Sequence, residues 1–166
     1  MDFFYILLHL QANRIAMKGN YKQIEAFLKS SKIAVVGISR TKEKFGNQVM
    51  EQLLKKGYEV VPVHREITEI NGLKVVANIT ELPDDVHALC LIVPAKATDQ
   101  LLKEALSKGI KHIWIQQFSD GPETADIVKG SDANIITGRC VFMYTQPEGV
   151  HRFHERVNKL FGTYAH

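Results

Sequence analysis

A chain of 166 residues, 45% apolar and 23% charged, has the size and balance of one folded globular domain. It can bury roughly 70% of its unfolded surface and so needs no disulfide or metal staple. Lysine and arginine outnumber aspartate and glutamate by 21 to 18, a net charge of +3 that suits a small anionic ligand and falls well short of the concentrated charge of a nucleic-acid binder.

The opening stretch, MDFFYILLHL, is apolar but far shorter than the roughly 20 residues that cross a bilayer. No basic segment precedes it and no small-residue cleavage site follows, so it does not have the form of a signal peptide. Met17 opens directly onto an amphipathic segment. Residues 1–20 are therefore expected to be an N-terminal extension, arising from a start placed too far upstream; packing or homodimer formation through the apolar tail is the alternative. A folded unit is expected over 21–166, in the cytoplasm and without a membrane segment.

Residues 22–29 place Ile24, Phe27 and Leu28 on one helical face. The run IAVVG, 33–37, has the form of a strand buried on both faces. A helix over 46–56 turns Val49, Met50, Leu53 and Leu54 inward and stops at Gly57. EVVPV, 59–63, is the second strand, and Pro62 assigns it to an edge or an irregular end. Asn71-Gly72 marks a turn before a short third strand near 73–76. HALCLIV, 87–93, is the fourth; Pro94 then opens a helix to about Ser107, striped by Leu101, Leu102, Ala105 and Leu106. HIWIQ, 112–116, follows as the fifth. Pro122 is expected at the first position of a short helix carrying Ala125, Ile127 and Val128. NIIT, 134–137, reads as the last parallel strand, and a helix over about 150–161 closes the chain. This alternation predicts an α/β, Rossmann-like three-layer fold with a five-stranded, mainly parallel sheet, in default order 3-2-1-4-5.

Ligands of such sheets bind beyond the carboxyl ends of the strands, where strand order reverses. That places the loop Gly37 to Asn47 at the centre. Gly37 allows a sharp turn and a close ligand, Ser39 offers a hydroxyl and an N–H, and Gly46-Asn47 begins a helix whose open N–H groups favour phosphate. Arg40, Lys42 and Lys44 add positive charge. The dinucleotide fingerprint GxGxxG is absent, with Ser39 and Lys42 in place of its second and third glycines. After the second strand comes His64-Arg65, where NAD enzymes usually carry an acid. A base there suits a phosphorylated ribose.

Taken together, IAVVGIS, FGNQVM, GYEVVPV, GLKVVANITELP, LIVPA, IWIQ and GRC resemble the small stand-alone CoA-binding proteins. Their domain is similar to the CoA-binding domain of the succinyl-CoA synthetase α subunit. The likeness runs from about residue 24 to 162. It implies coenzyme A lying across Gly37, Ile38, Ser39, Arg40, Lys44, Phe45, Gly46 and Asn47, with His64 at the adenosine end and Val93, Pro94 and Gln116 along the pantetheine arm. His64-Arg65 departs from the asparagine and proline frequent at that place in the family. The synthetase's phosphohistidine belongs to a second domain, so ligase chemistry is not expected.

The leading expectation is non-catalytic binding of CoA or an acyl-CoA. The alternatives are an NADP-linked oxidoreductase, which the absent fingerprint and the absence of a spaced tyrosine-lysine pair disfavour, and a protein-interaction module with a degenerate site. Cys90, within ALCLIV, is read as a buried small hydrophobe. Cys140 beside Arg139 is read as a strand-end cysteine, with an activated thiol as the competing idea. His151 and His154 match no metal motif, no metal site is expected, and Ser119 is read as a turn or capping residue.

Overall fold

The computed structural model describes residues 18–145. Its elements are α1 (Tyr21–Leu28), β1 (Lys32–Val36), α2 (Phe45–Lys55), β2 (Glu59–Val63), β3 (Glu69–Ile70), β4 (Leu73–Lys74), β5 (Ala88–Leu91), α3 (Ala95–Lys108), β6 (His112–Gln116), α4 (Thr124–Lys129) and β7 (Asn134–Arg139), with 3-10 turns at Ile79–Glu81 and Val141–Met143. The apolar tail, the expected closing helix, and His151 and His154 lie outside the described residues. No helix among the described residues is long and apolar enough to cross a membrane.

Five strands form one sheet in the order β2-β1-β5-β6-β7, every pair parallel. Its rows run straight across: Val35 lies between Pro62 and Cys90, Cys90 beside Trp114, and Trp114 beside Ile136. Residues one apart in sequence face opposite ways, so each strand feeds two cores. One gathers Ile33, Val35, Cys90, Trp114 and Ile136 under Ile24 and Phe27 of α1 and Val49, Met50 and Leu53 of α2. Trp114 meets Phe27 edge-on at 5.3 Å between ring centroids and donates its indole N–H to the Arg139 carbonyl at 3.0 Å. The other core gathers Ala34, Val36, Leu89, Leu91, Ile113 and Ile115 under Leu102 and Ala105 of α3, with Ile127 and Val128 of α4 at its margin. The result is a three-layer, Rossmann-like α/β fold.

The termini of the helices follow local chemistry. The Asn20 and Gln23 side chains each accept from the other's backbone N–H at 3.0 Å, a capping box that starts α1. Gly57 and Gly109, both at φ +86°, release the chain after α2 and α3. Lys18 and Gly19, within the expected extension, lie against β7: Gly19 donates to the Thr137 carbonyl at 3.1 Å.

Three expectations change. The segment 73–76 is not a strand of the sheet. Asn71 at φ 50° and Gly72 at φ 76° make a tight hairpin turn that pairs Leu73–Lys74 antiparallel with Glu69–Ile70. Only Val76 reaches the sheet, through one parallel bridge to Val63, the last residue of β2. The 3-2-1-4-5 order is therefore replaced, in sheet-strand count, by 2-1-3-4-5, with Asn134–Arg139 as the fifth strand. Pro62 does lie on an edge strand, as its missing N–H requires. Pro122 lies before α4, whose N-cap is Glu123; the side chains of Asp99 and Thr124 take up the N–H groups of Glu123 and Gly121 instead.

Candidate functional site

The helix α2, after β1, packs on the Trp114 face of the sheet, and α3, after β5, packs on the Leu89 face. Connections therefore diverge between these adjacent strands, and a crevice opens at their carboxyl ends, as at any such switch point. Gly37, at φ +112°, makes the turn out of β1, and a Cβ there would collide with the Ile92 carbonyl. Gly46, in the first turn of α2, lies so close to Gly37 that a Cβ would strike the Gly37 carbonyl. In the dinucleotide fingerprint the third glycine provides this close approach of helix to strand. Here Gly46 provides it, from the far end of a longer loop.

Asn47 holds that loop. It is 2% exposed, and its carboxamide accepts from the Ser39 N–H at 2.9 Å while donating to the carbonyls of Ser39 at 2.8 Å and Thr41 at 2.9 Å. The Ser39 hydroxyl accepts from the Thr41 N–H at 3.2 Å. The Ser39 N–H, expected to be open to a ligand, is thus taken up by the loop itself, while its hydroxyl keeps a proton to donate. The N–H groups of Ile38, Arg40 and Gly46 have no partner among the described residues. Lys44 is the N-cap of α2 and makes no side-chain cap, leaving the positive end of the helix dipole open to an anion.

A cleft of about 710 Å³ lies across the carboxyl ends of β2, β1 and β5. Gly37, Ile38, His64, Val93 and Pro94 line it, together with Arg65, Glu66, Ala77, Asn78, Ile79, Leu101 and Glu104. His64 Nδ1 accepts from the Glu66 N–H at 3.1 Å, so its Nε2 carries the proton in the neutral ring and is the donor available to a ligand. Arg65 has no ion pair among the described residues, whereas Arg40 lies 3.7 Å from the Glu66 carboxylate and donates to its carbonyl at 3.1 Å. A smaller cleft of about 320 Å³ on the other side of the loop is lined by Ser39, Arg40, Lys42 and Asn47, with Glu51, Glu69 and the hairpin.

The structure therefore divides the predicted residues. Gly37, Ile38, His64, Val93 and Pro94 share the main cleft, and Ser39, Arg40 and Asn47 face the smaller one. Phe45 packs on Phe142 at 5.3 Å. Gln116 is buried and its Oε1 accepts from the Val141 N–H at 3.2 Å, a bond that ties β6 to the turn after β7. Lys44, Phe45, Gly46 and Gln116 line neither cleft. Sequence reasoning missed the wall formed by Ala77, Asn78 and Ile79. Its signal was the spacing of Asn78 and Glu81, which marks a capped turn: the Asn78 side chain accepts from the Glu81 N–H.

Ser119 is buried, and its carbonyl accepts from the Thr98 hydroxyl at 2.6 Å, in keeping with a turn role. Cys90 is fully enclosed, and burial pushes its thiol up, out of the range where it ionises. Cys140 is half-buried against the core and lines neither cleft, while the Arg139 Nε donates to the Gly19 carbonyl at 2.9 Å. Among the described residues no three histidines, cysteines or carboxylates converge on a metal position.

The model of the CoA binding domain family matches residues 31–146. The α subunit of an ADP-forming acetate–CoA ligase I of Pyrococcus furiosus is 39% identical over 99 residues, covering 55% of this chain and 21% of that subunit. The chain thus spans about a fifth of that relative's length. Two solved structures share the fold and most of their own length: a conserved hypothetical protein of Pyrococcus furiosus (38% identity, 66% of this chain and 95% of that one, TM-score 0.63) and a hypothetical protein of Pyrococcus horikoshii (30% identity, 81% and 89%, TM-score 0.67). The kinship expected with succinyl-CoA synthetase therefore moves to the ADP-forming acetate–CoA ligases.

Proposed function

The chain belongs to the CoA binding domain family, and from that premise we propose that it binds coenzyme A or an acyl-CoA in the cleft beyond β1, β2 and β5, without turning it over. The observation that carries this reading is the contact of Gly46 with the Gly37 carbonyl, which seats the open end of α2 on the rim of the switch-point crevice. A pyrophosphate there meets the free N–H group of Ile38, which lines the cleft, and the positive field of the open end of α2 beside it. His64 and Arg65 stand at the end of β2, where a ribose phosphate would lie, and Val93 and Pro94 offer an apolar path for pantetheine. The acetate–CoA ligase relatives are several times longer than the matched region, and the proposal takes from them the ligand and not the reaction.

Isothermal titration of the reduced protein with CoA, dephospho-CoA and NADPH tests it. The expected result is saturable one-to-one binding of CoA at micromolar affinity, weakened about tenfold without the ribose phosphate. Tighter binding of NADPH than CoA would instead support an oxidoreductase. Absence of binding to all three would favour a protein-interaction module.

A further inference from the structure

The most costly conformation on the carboxyl edge of the sheet belongs to a residue outside the cleft. Phe118, two residues after β6, has φ +70° and is 87% exposed. The left-handed region is unfavourable for any residue with a Cβ and an outlier for a bulky one, and an exposed phenyl ring gains nothing from burial. The turn itself is fixed on both sides. Gln117 donates to the Arg139 carbonyl at 3.1 Å, Ser119 donates to the Gln116 carbonyl at 2.9 Å, and Thr98 holds the Ser119 carbonyl. Glycine would adopt this backbone at no steric cost. Phenylalanine serves neither the turn nor the core, and a side chain that is unfavourable on both counts is expected where it meets something else.

We propose that Phe118 is the acyl-recognising residue of this protein, its ring closing over a neutral, apolar acyl group carried on the thiol of the bound coenzyme. The inference rests on the CoA reading above and adds the class of acyl group. Val93 and Pro94 form the wall of the cleft after β5, and β6 is the next strand in the sheet. Strands are spaced about 4.8 Å apart, so the turn at 117–119 begins one strand beyond that wall and two beyond the Gly37 turn. A pantetheine arm that leaves the β1 turn past Pro94 runs along this edge, and extended it is long enough to bring its thioester to β6. The turn from Gln117 to Asp120 contains no cation and ends in a carboxylate, which disfavours an acyl group with a free carboxylate.

The test compares wild type, Phe118→Ala and Phe118→Gly in titrations with CoA, octanoyl-CoA and succinyl-CoA. Wild type is expected to bind octanoyl-CoA about tenfold more tightly than CoA or succinyl-CoA. Both variants are expected to keep CoA affinity within about twofold while losing most of the octanoyl gain. Phe118→Gly should melt no lower than wild type, which separates recognition from folding. An octanoyl preference that survives in both variants, or is absent from wild type, overturns the proposal. So does a change in self-association, measured by sedimentation, with acyl affinity unaltered, since the ring would then serve a protein contact. Failure of wild type to bind CoA removes the CoA reading as well, whereas retained CoA binding without acyl discrimination removes this inference alone.

Discussion

Asn47 shows how much a single buried amide can decide. One carboxamide satisfies an N–H and two carbonyls of the loop that precedes it, so the loop is shaped before any ligand arrives. Such preorganisation reduces the ordering cost of binding. Asn47→Ala leaves three backbone groups to find water and is expected to destabilise the fold by about 2–3 kcal/mol. CoA affinity should fall about tenfold or more as the turn loses its shape. Asn47→Asp keeps the acceptor for Ser39 but loses both donated bonds and buries a charge, so it should be no better. Urea denaturation followed by CoA titration of the refolded variants checks both statements; wild-type affinity in Asn47→Ala would show that the loop does not need this residue. The sequence placed Asn47 at the site but not its role as a brace for the loop, because a helix-start asparagine reads equally well as a ligand contact and as a loop brace. Gln116 posed the same ambiguity. The register of β6 against β7 shifts between Trp114 and Gln116, and its side chain bonds to Val141, neither of which periodicity can reveal.

At the scale of elements, the buried strands were legible because parallel strands covered on both faces must be continuous apolar runs. IAVV, ALCL and HIWI could be little else. The third strand failed because Asn-Gly dictates a tight hairpin, and a hairpin is antiparallel; the segment turned back on itself before it could join the sheet. Equally hidden was the junction of α1 with the far edge. Gln23 Nε2 donates to the Ile135 carbonyl at 3.3 Å, and Asn134 Nδ2 donates to the Gln23 carbonyl at 2.8 Å and approaches His112 Nδ1 at 3.1 Å. Burial, and to a lesser degree His87, holds the His112 imidazole below its ordinary value of 6.5. The fold thus favours the neutral ring, whose Nδ1 accepts from Asn134; protonation would set two donors face to face. This contribution is fully present above about pH 6.5 and is lost as pH falls through the lower folded value. His112→Gln should therefore lose less of its melting temperature than wild type between about pH 7 and about pH 5. An identical decline in both proteins would show that His112 does not report on this junction.

At the scale of the molecule, sheet order determines where chemistry can gather. The divergence of α2 and α3 from adjacent strands opens one crevice at the carboxyl edge, and the loops that wall it come from β1, β2 and β5 and from the turn at Ile79. A third cleft, of about 510 Å³, lies elsewhere, lined by Leu106, Ile110, Lys111, Ile127 and Ala133, and supplies an internal control. The account stands on the claim that CoA occupies the first of these. Amide chemical-shift mapping of the labelled protein during a CoA titration tests it most directly. The account predicts saturable shifts at Gly37, Ile38, Gly46, His64 and Val93, with Ile110 and Ala133 unmoved. Shifts confined to Ile110, Ala133 and their neighbours, or no shifts at saturating CoA, would contradict it.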